Sequence, residues 1–178
     1  MKAIQYQKIF EYLALIAVLS FITTGCGYHF AGSAGNRIAS GQSLWVNFIR
    51  VEIDSPSAQT VLRRSILDEC HAFRGLVPAG NEGTADLRIK GSLRSYTTTP
   101  MSYSSLDQVR EYRLTVAVDL ELHRKGELIP FWKGTVQGYA DYPVSNDLSL
   151  QRSAEEVALA AASRVAAQRF LIAVEHSY

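Results

Sequence analysis

The sequence predicts an α+β domain, a two-layer sandwich in which a small mixed sheet of about four strands carries two helices on one face. Two segments alternate strictly between apolar and polar residues, as half-buried strands do. Two other segments have apolar residues at helical spacing, and every predicted strand has at least one apolar face. The elements follow the order β-α-β-β-β-α, so one sheet face meets the helices and the other, polar face stays free.

The first strand and first helix lie in the first half of this domain. Residues 44–53 are β-rich and apolar on both faces, which predicts an internal strand covered on two sides. Ser55 can cap a helix and Pro56 suits its first position. The predicted helix then buries a stripe of apolar residues: Ala58, Leu62, Ile66, Cys70 and Phe73. Residues 76–78 predict a short edge strand, because proline lacks an amide donor.

Three strands and a helix complete the predicted domain. Residues 86–96 and 111–123 alternate, and residues 129–142 return after a turn at 125–127 to form a hairpin. The inward residues of the first two strands are Leu87, Ile89, Gly91 and Leu93, then Tyr112, Leu114, Val116, Val118, Leu120 and Leu122. Ser153 and Glu156 form a capping-box pattern at the start of the last helix. An Ala/Val-rich stretch that contains Val157, Ala161, Val165, Phe170 and Ile172 then runs to the C-terminus.

The N-terminus has the pattern of an export signal. Lys2 and Lys8 precede an apolar run, residues 12–22, that is shorter than the roughly 20 residues needed to cross a bilayer core. Gly25 and Cys26 then match the cleavage site of a lipoprotein signal peptidase. We therefore expect residues 1–25 to be a signal peptide and Cys26 to be the lipidated first residue. The alternative is an ordinary signal peptide that leaves a free Cys26.

The mature chain is predicted to be one tethered domain. Residues 26–42 are rich in Gly, Ser and Ala, which is typical of a flexible tether, and residues 43–178 contain all the periodic segments. Removing residues 1–25 removes Lys2, Lys8 and Glu11 from the 18 Lys+Arg and 17 Asp+Glu residues, which leaves 16 charges of each sign. This balance argues against bulk nucleic-acid binding, which needs clustered positive charge.

The residue types that usually carry catalysis or hold metals are scattered. The four histidines, His29, His71, His123 and His176, show no metal-ligand spacing. Ser104, Ser105 and Asp107 have no histidine placed to activate a hydroxyl, and residues 80–83 do not form a phosphate loop. With Cys26 acylated, Cys70 has no disulfide partner and suits a buried position. The sequence therefore predicts a protein that is not an enzyme and has neither cofactor nor metal.

The polar face of the predicted sheet carries a candidate anion site. If the loop after Tyr96 closes symmetrically, Arg94 and Arg113 face each other on neighbouring strands, with Lys90 and Arg88 further along. Facing cations are unfavourable unless an anion lies between them. The alternative is a solvated face on which acidic residues neutralise the arginines, and these residues are Asp86, Asp119 and Glu121.

Three stretches resemble one known family. Residues 26–30, with the sequence Cys-Gly-Tyr-His-Phe, and Gly32 resemble the mature start of the lipopolysaccharide-assembly lipoprotein family LptE. Residues 85–96 and 111–114 resemble two of its strands. The resemblance implies a lipid-anchored protein on the periplasmic side of the outer membrane. It also implies that the protein plugs the β-barrel LptD, assists its assembly and binds lipopolysaccharide.

The basic residues that could bind lipopolysaccharide here differ from the family pattern. The family's contacts lie in basic loops, but residues 97–109 contain no Lys or Arg. We therefore expect Arg94, Arg110, Arg113 and Lys133 to substitute for them. Two alternatives remain at this point: an envelope lipoprotein that binds peptidoglycan or another envelope complex through the same sheet, and a lipid-anchored hydrolase.

Overall fold

The computed structural model describes residues 38–48 and 56–176. The predicted signal peptide, the lipidation site Cys26 and most of the predicted tether lie outside these residues. The elements are β1 (Ser43–Phe48), α1 (Pro56–Arg74), β2 (Val77–Pro78), β3 (Leu87–Tyr103), β4 (Val109–Arg124), β5 (Trp132–Pro143) and α2 (Leu148–His176).

These strands form one mixed five-stranded sheet in the order β2-β1-β3-β4-β5. Strand β1 is parallel to β2 and β3, whereas β3, β4 and β5 are antiparallel neighbours. The helix α1 supplies the crossover that a parallel β1–β2 pair requires. The predicted α+β fold is confirmed, and the fifth strand is the short edge segment expected at residues 76–78.

The core lies between one sheet face and the two helices. The predicted inward residues of β3 and β4 are confirmed, since Leu93, Val116 and Val118 are all at most 1% exposed. The Phe170 ring of α2 meets the Trp132 ring of β5 edge-on at 5.0 Å between centroids. Cys70 of α1 is buried in this core as predicted, and desolvation raises the pKa of its thiol to about 12. This thiol therefore stays protonated at neutral pH.

Helix α2 is apolar on more than one side. By length and composition it could span a membrane, but half of its most apolar window is buried inside the domain, as in the core helix of a folded protein. It begins at Leu148, where the carboxylate of Asp147 accepts bonds from the amides of Ser149 (2.7 Å) and Leu150 (3.3 Å). The predicted capping box is wrong, because Ser153 already lies inside the helix.

Of the residues named in the Ala/Val-rich stretch of α2, only Phe170 is fully buried. Val157 is 67% exposed, Ile172 is 54% exposed, and Ala161 is exposed as well. The residues that α2 buries are Ala158, Leu159, Ala162, Ser163, Ala166, Ala167, Phe170, Leu171 and Val174. A helix that is apolar on several sides gives no periodic signal to choose the inward one. In α1, Phe73 is likewise 63% exposed.

Two strands also differ from their predicted form. Leu44 and Val46 of β1 are buried but Asn47 is exposed, because both helices cover the same side of the sheet. Strand β3 continues to Tyr103, so the predicted loop at residues 97–109 shrinks to residues 104–108. The β-branched run at residues 97–99 extends the strand and pairs with residues 113–115 of β4.

Candidate functional site

The sheet face away from the helices, called the open face below, carries the polar residues of three long strands. Alternation along β4 places Leu114 and Val116 under the helices and Arg113, Asp119 and Glu121 on the open face. Register extends the face to β3 and β5: Ser92 lies opposite Asp119, which lies opposite Thr135. Because the apolar residues of each strand face the helices, the polar residues that alternate with them form the opposite surface of the sheet.

A groove of about 440 Å³ crosses the open face. Its polar lining consists of Lys90, Ser92, Arg94, Asp119, Glu121, Lys133 and Thr135. Three cations and two carboxylates thus line one concave surface, together with two hydroxyl groups. This composition suits a ligand that carries both anionic groups and hydroxyls.

Two of the groove cations are held by carboxylates. The Lys133 ammonium lies 2.7 Å from the Glu121 carboxylate, and this hydrogen bond raises the pKa of Lys133 and lowers the pKa of Glu121. The Arg94 guanidinium lies 3.6 Å from Asp119 and donates to the Thr135 hydroxyl at 3.3 Å. That hydroxyl in turn donates to Asp119 at 2.6 Å. Both cations are therefore fixed at the groove wall.

The third groove cation, Lys90, forms no ion pair with any residue that the structure describes. Its register partner on β4 is Glu121, whose carboxylate is already bonded to Lys133. Lys90 is thus the groove cation with the most freedom to meet an incoming anion.

Arg113 lies outside the groove and is firmly paired. Its guanidinium donates two hydrogen bonds to Asp141, at 2.7 and 2.8 Å, and stacks over the Tyr139 ring at 4.7 Å. This bidentate pair lowers the pKa of Asp141 and raises that of Arg113. An anion at this point would have to compete with the Asp141 carboxylate.

The expected facing pair of Arg94 and Arg113 is wrong. Arg113 lies opposite Thr99, and the β3–β4 register shifts between Leu93 and Ser95, so Arg94 sits in a bulge. Five residues of strand separate the two positions, or roughly 16 Å at the usual rise. The physical reason is the longer β3, which moves the turn away from Tyr96.

The other site residues fall into two groups. Arg94 and Lys133 share the groove, whereas Arg110 is exposed near the β3–β4 turn, where its carbonyl accepts from the Val144 amide at 2.9 Å. Asp119 and Glu121 neutralise basic residues as the solvated-face alternative proposed. Asp86 does not, since it accepts from the Ser43 amide (2.9 Å) and hydroxyl (2.7 Å).

Sequence reasoning missed two polar partners on β5. Asp141, which binds Arg113, and Thr135, which joins Arg94 to Asp119, both alternate with inward residues of the predicted hairpin strand. Counting outward from the turn would have placed them on the open face. Among the described residues, no three His, Cys, Asp or Glu side chains are grouped to hold a metal ion.

The fold and the open face define a small two-layer α+β domain with a polar, charge-paired sheet surface suited to binding. A protein-family model for lipopolysaccharide assembly, LptE, matches residues 42–174. The chain belongs to the LptE family. Its role is therefore in lipopolysaccharide assembly at the outer membrane, as an outer-membrane-associated lipoprotein.

Solved structures with TM-scores of 0.50 or more share the fold. A lipoprotein from Caulobacter crescentus is 16% identical, with a TM-score of 0.53, over 74% of this chain and 87% of that chain. A protein from Xanthomonas campestris is also 16% identical, with a TM-score of 0.50, over 76% and 86% of the two chains. The rare lipoprotein B from Shewanella oneidensis is 14% identical, with a TM-score of 0.46, over 73% and 91%. No curated protein sequence matches the chain.

Proposed function

We propose that this protein is a lipid-anchored, non-enzymatic plug and assembly partner of an LptD-type outer-membrane β-barrel. The family match supports a role in lipopolysaccharide assembly, and the open face supports the proposal that the protein plugs a barrel. The interior of a large outer-membrane barrel is polar, so a protein that fills it needs a surface of hydroxyls and balanced charges. The open face has this composition across three long strands, and this is the observation that carries the proposal.

The charge pairs of the open face suit such an environment. Arg94 with Asp119, Lys133 with Glu121, and Arg113 with Asp141 each join a cation to an anion before any partner arrives. A surface already neutralised in pairs avoids burying isolated charges when it meets a second polar surface. The β3–β5 face can therefore lie against a hydrated barrel wall without a large desolvation penalty.

Cys26 supplies the anchor in this proposal. Acyl chains on Cys26 would hold the domain at the periplasmic side of the outer membrane, and residues 27–42 would give the tether its reach. The domain itself then needs no membrane-crossing element to stay next to its barrel.

Lipopolysaccharide is the proposed ligand of the open face. Lipid A phosphates are anionic and the attached sugars carry hydroxyls, which matches the groove cations Arg94, Lys133 and Lys90 and the groove hydroxyls. Arg110 and Arg113 remain proposed contacts outside the groove, and Arg113 is the less available of the two because Asp141 holds it.

An affinity pull-down from detergent-solubilised outer membranes tests the partnership. The full-length protein with a C-terminal tag should bring down a large β-barrel protein in near-stoichiometric amount. Another outer-membrane lipoprotein with the same tag, expressed at the same level, is the control. Recovery of peptidoglycan fragments without any barrel would contradict the proposal.

A further inference from the structure

Two nearly fully exposed apolar residues lie next to each other in the connection between β4 and β5. Leu128 and Ile129 are 93% and 80% exposed, the two highest values among the large apolar residues that the structure describes. Scattered exposed apolar residues are normal on a protein surface. An adjacent pair at the tip of a connection instead forms an apolar protrusion, called the protrusion below, which is suited to contact with acyl chains.

The connection that carries the protrusion is held by hydrogen bonds on both sides of its turn. The Lys125 amide donates to the Asp86 carbonyl at 2.8 Å, and the Arg88 guanidinium donates to the Glu127 carbonyl at 3.1 Å. Gly126 lies between them with a φ of 81°, in the left-handed region that favours glycine. The protrusion is therefore ordered before any contact, so binding costs little conformational entropy.

The protrusion adjoins the groove of the open face. Arg88 lies on that face, since its neighbours Leu87 and Ile89 are buried in the core. Its bond to the Glu127 carbonyl therefore brings the connection against the open face. Lys90, the next open-face residue of β3, already lines the groove. Cations and an apolar tip thus lie side by side at one end of the sheet.

This end of the domain is also the end at which the chain enters the sheet. The Asp86 amide donates to the Ser43 carbonyl at 3.1 Å, and the Asp86 carbonyl accepts from the Lys125 amide. Asp86 therefore joins the start of β1 to the β4–β5 connection. In a plug that acyl chains on Cys26 hold at the periplasmic side, this end would face the periplasm. Lipopolysaccharide that comes from the periplasm would meet the groove and the protrusion first.

We propose that the groove and the protrusion form one two-part site for lipopolysaccharide, in which the groove cations hold the lipid A phosphates and Leu128 and Ile129 contact the acyl chains. Lipid A carries its phosphates and its acyl chains on the same sugars, so a site that holds the phosphates has the chains within reach. Contact removes apolar surface of both partners from water, which favours binding. The proposal rests on lipopolysaccharide as the ligand of the open face and adds the part of the ligand that cations cannot bind.

A comparison of two ligands tests the protrusion. The probes are purified lipopolysaccharide and the same lipopolysaccharide after chemical deacylation, which keeps its phosphates. In full-length protein, Leu128→Ser combined with Ile129→Ser should weaken binding of intact lipopolysaccharide about tenfold, because the variant loses apolar contact with the chains. Binding of the deacylated form should stay within about twofold of the wild-type value, since its phosphates still meet the groove cations. The melting temperature should not change, because both side chains are exposed.

Leu106→Ser is the matched control, because Leu106 is 79% exposed in the β3–β4 turn at the opposite end of the sheet. It should leave the binding of both ligands unchanged. Lys90→Ala combined with Arg94→Ala should weaken both ligands alike, which separates the groove from the protrusion.

Three results would contradict the two-part site. Unchanged binding of intact lipopolysaccharide by the Leu128 and Ile129 variant would overturn it, and so would equal weakening of both ligands. Wild-type binding of phosphatidylglycerol that is as tight as that of lipopolysaccharide would also overturn it, because a phospholipid would then be the occupant. Absence of any lipopolysaccharide binding by the wild type is a different result, since it would overturn the proposed ligand of the open face together with the two-part site.

Discussion

Gly138 of β5 lies directly under the backbone of α2, against the carbonyl of Ala162. A Cβ atom built on Gly138 would overlap that oxygen and would lie 2.7 Å from the Ala166 amide nitrogen. Real Cβ atoms essentially never come so close to backbone atoms. The pair therefore sets the distance between the helix layer and the sheet, and only glycine fits at this point of β5.

We expect Gly138→Ala to destabilise the domain by about 3 kcal/mol, because the added methyl group would force α2 away from β5. Urea unfolding followed by circular dichroism measures the change. Gly80→Ala is the matched control, since a Cβ at Gly80 has no heavy atom within 4 Å. Equal urea midpoints for the two variants would show that α2 can move away from β5 without a loss of unfolding free energy.

The core of the β4 strand gives a second prediction. Val118 is fully buried beneath the helices, so Val118→Ala should cost about 2 kcal/mol through lost burial and the cavity left behind. Val157→Ala removes the same atoms from a side chain that is 67% exposed and should change the unfolding free energy by only a few tenths of a kcal/mol. A larger loss at Val157 than at Val118 would reverse the assignment of buried and exposed residues.

The element order was predictable because the strands have one apolar face each. Leu114, Leu120 and Leu122 alternate with polar neighbours, which fixes the inward side of β4 from sequence alone. The last helix offered no such contrast. Ala158 and Ala161 are chemically the same, yet Ala158 is buried and Ala161 is exposed. The packing of α2 on the sheet decides which side faces inward, and the close approach of Gly138 to Ala162 and Ala166 belongs to this packing.

The residues that make up the charged site were predictable from the sequence, but the way in which they pair was not. Alternation placed Arg94, Arg113 and Lys133 on the polar face, and all three are there. Their neighbours depend on register, which a bulge beside Arg94 and a longer hairpin both shift. Alternation fixes the face on which a side chain lies but not its partner on the next strand, so the facing arginine pair was wrong.

Low pH should remove the stability that the ion pair of Glu121 with Lys133 contributes at the groove. Because its hydrogen bond to Lys133 lowers the folded-state pKa of Glu121 below the ordinary value of 4.5, its contribution to stability is present above about pH 4.5 and is lost as pH falls through the folded-state value. Lys133→Ala should raise the Glu121 pKa, which carboxyl-detected NMR titration measures directly. An unchanged Glu121 titration in this variant would show that the ion pair does not persist in solution.

Cys26 carries the prediction for export. Cys26→Ala should leave the precursor uncleaved, because the lipoprotein peptidase acts on a lipid-modified cysteine at this position. Mass spectrometry of the wild-type N-terminus should show one acylated terminus, at Cys26. The discriminating control is Gly25→Ala, which keeps a small residue before the cysteine and should be processed normally. A mature wild-type protein with a free, unacylated terminus at another residue would contradict the prediction.

The groove on the open face carries the functional prediction. If its cations bind lipid A phosphates, Lys90→Ala combined with Arg94→Ala should weaken lipopolysaccharide binding about tenfold or more, since charge-assisted contacts to phosphate are strong. Folding should be nearly unaffected, because exposed ion pairs contribute little stability. Raised salt should weaken wild-type binding in the same direction.

Arg113→Ala is the matched control for this groove variant. It removes one cation from the same open face but outside the groove, where Asp141 already occupies the guanidinium with two hydrogen bonds. We expect it to reduce lipopolysaccharide binding by less than a factor of three. We also expect both variants to keep their barrel partner, because truncating most interface side chains to Ala changes the binding free energy by less than about 1 kcal/mol. Isothermal titration with purified lipopolysaccharide and a pull-down on the same preparation measure both properties. Equal loss of binding in the two variants would mean that the whole open face attracts the ligand. Full binding in both variants would mean that these cations are only solvated and do not bind lipopolysaccharide.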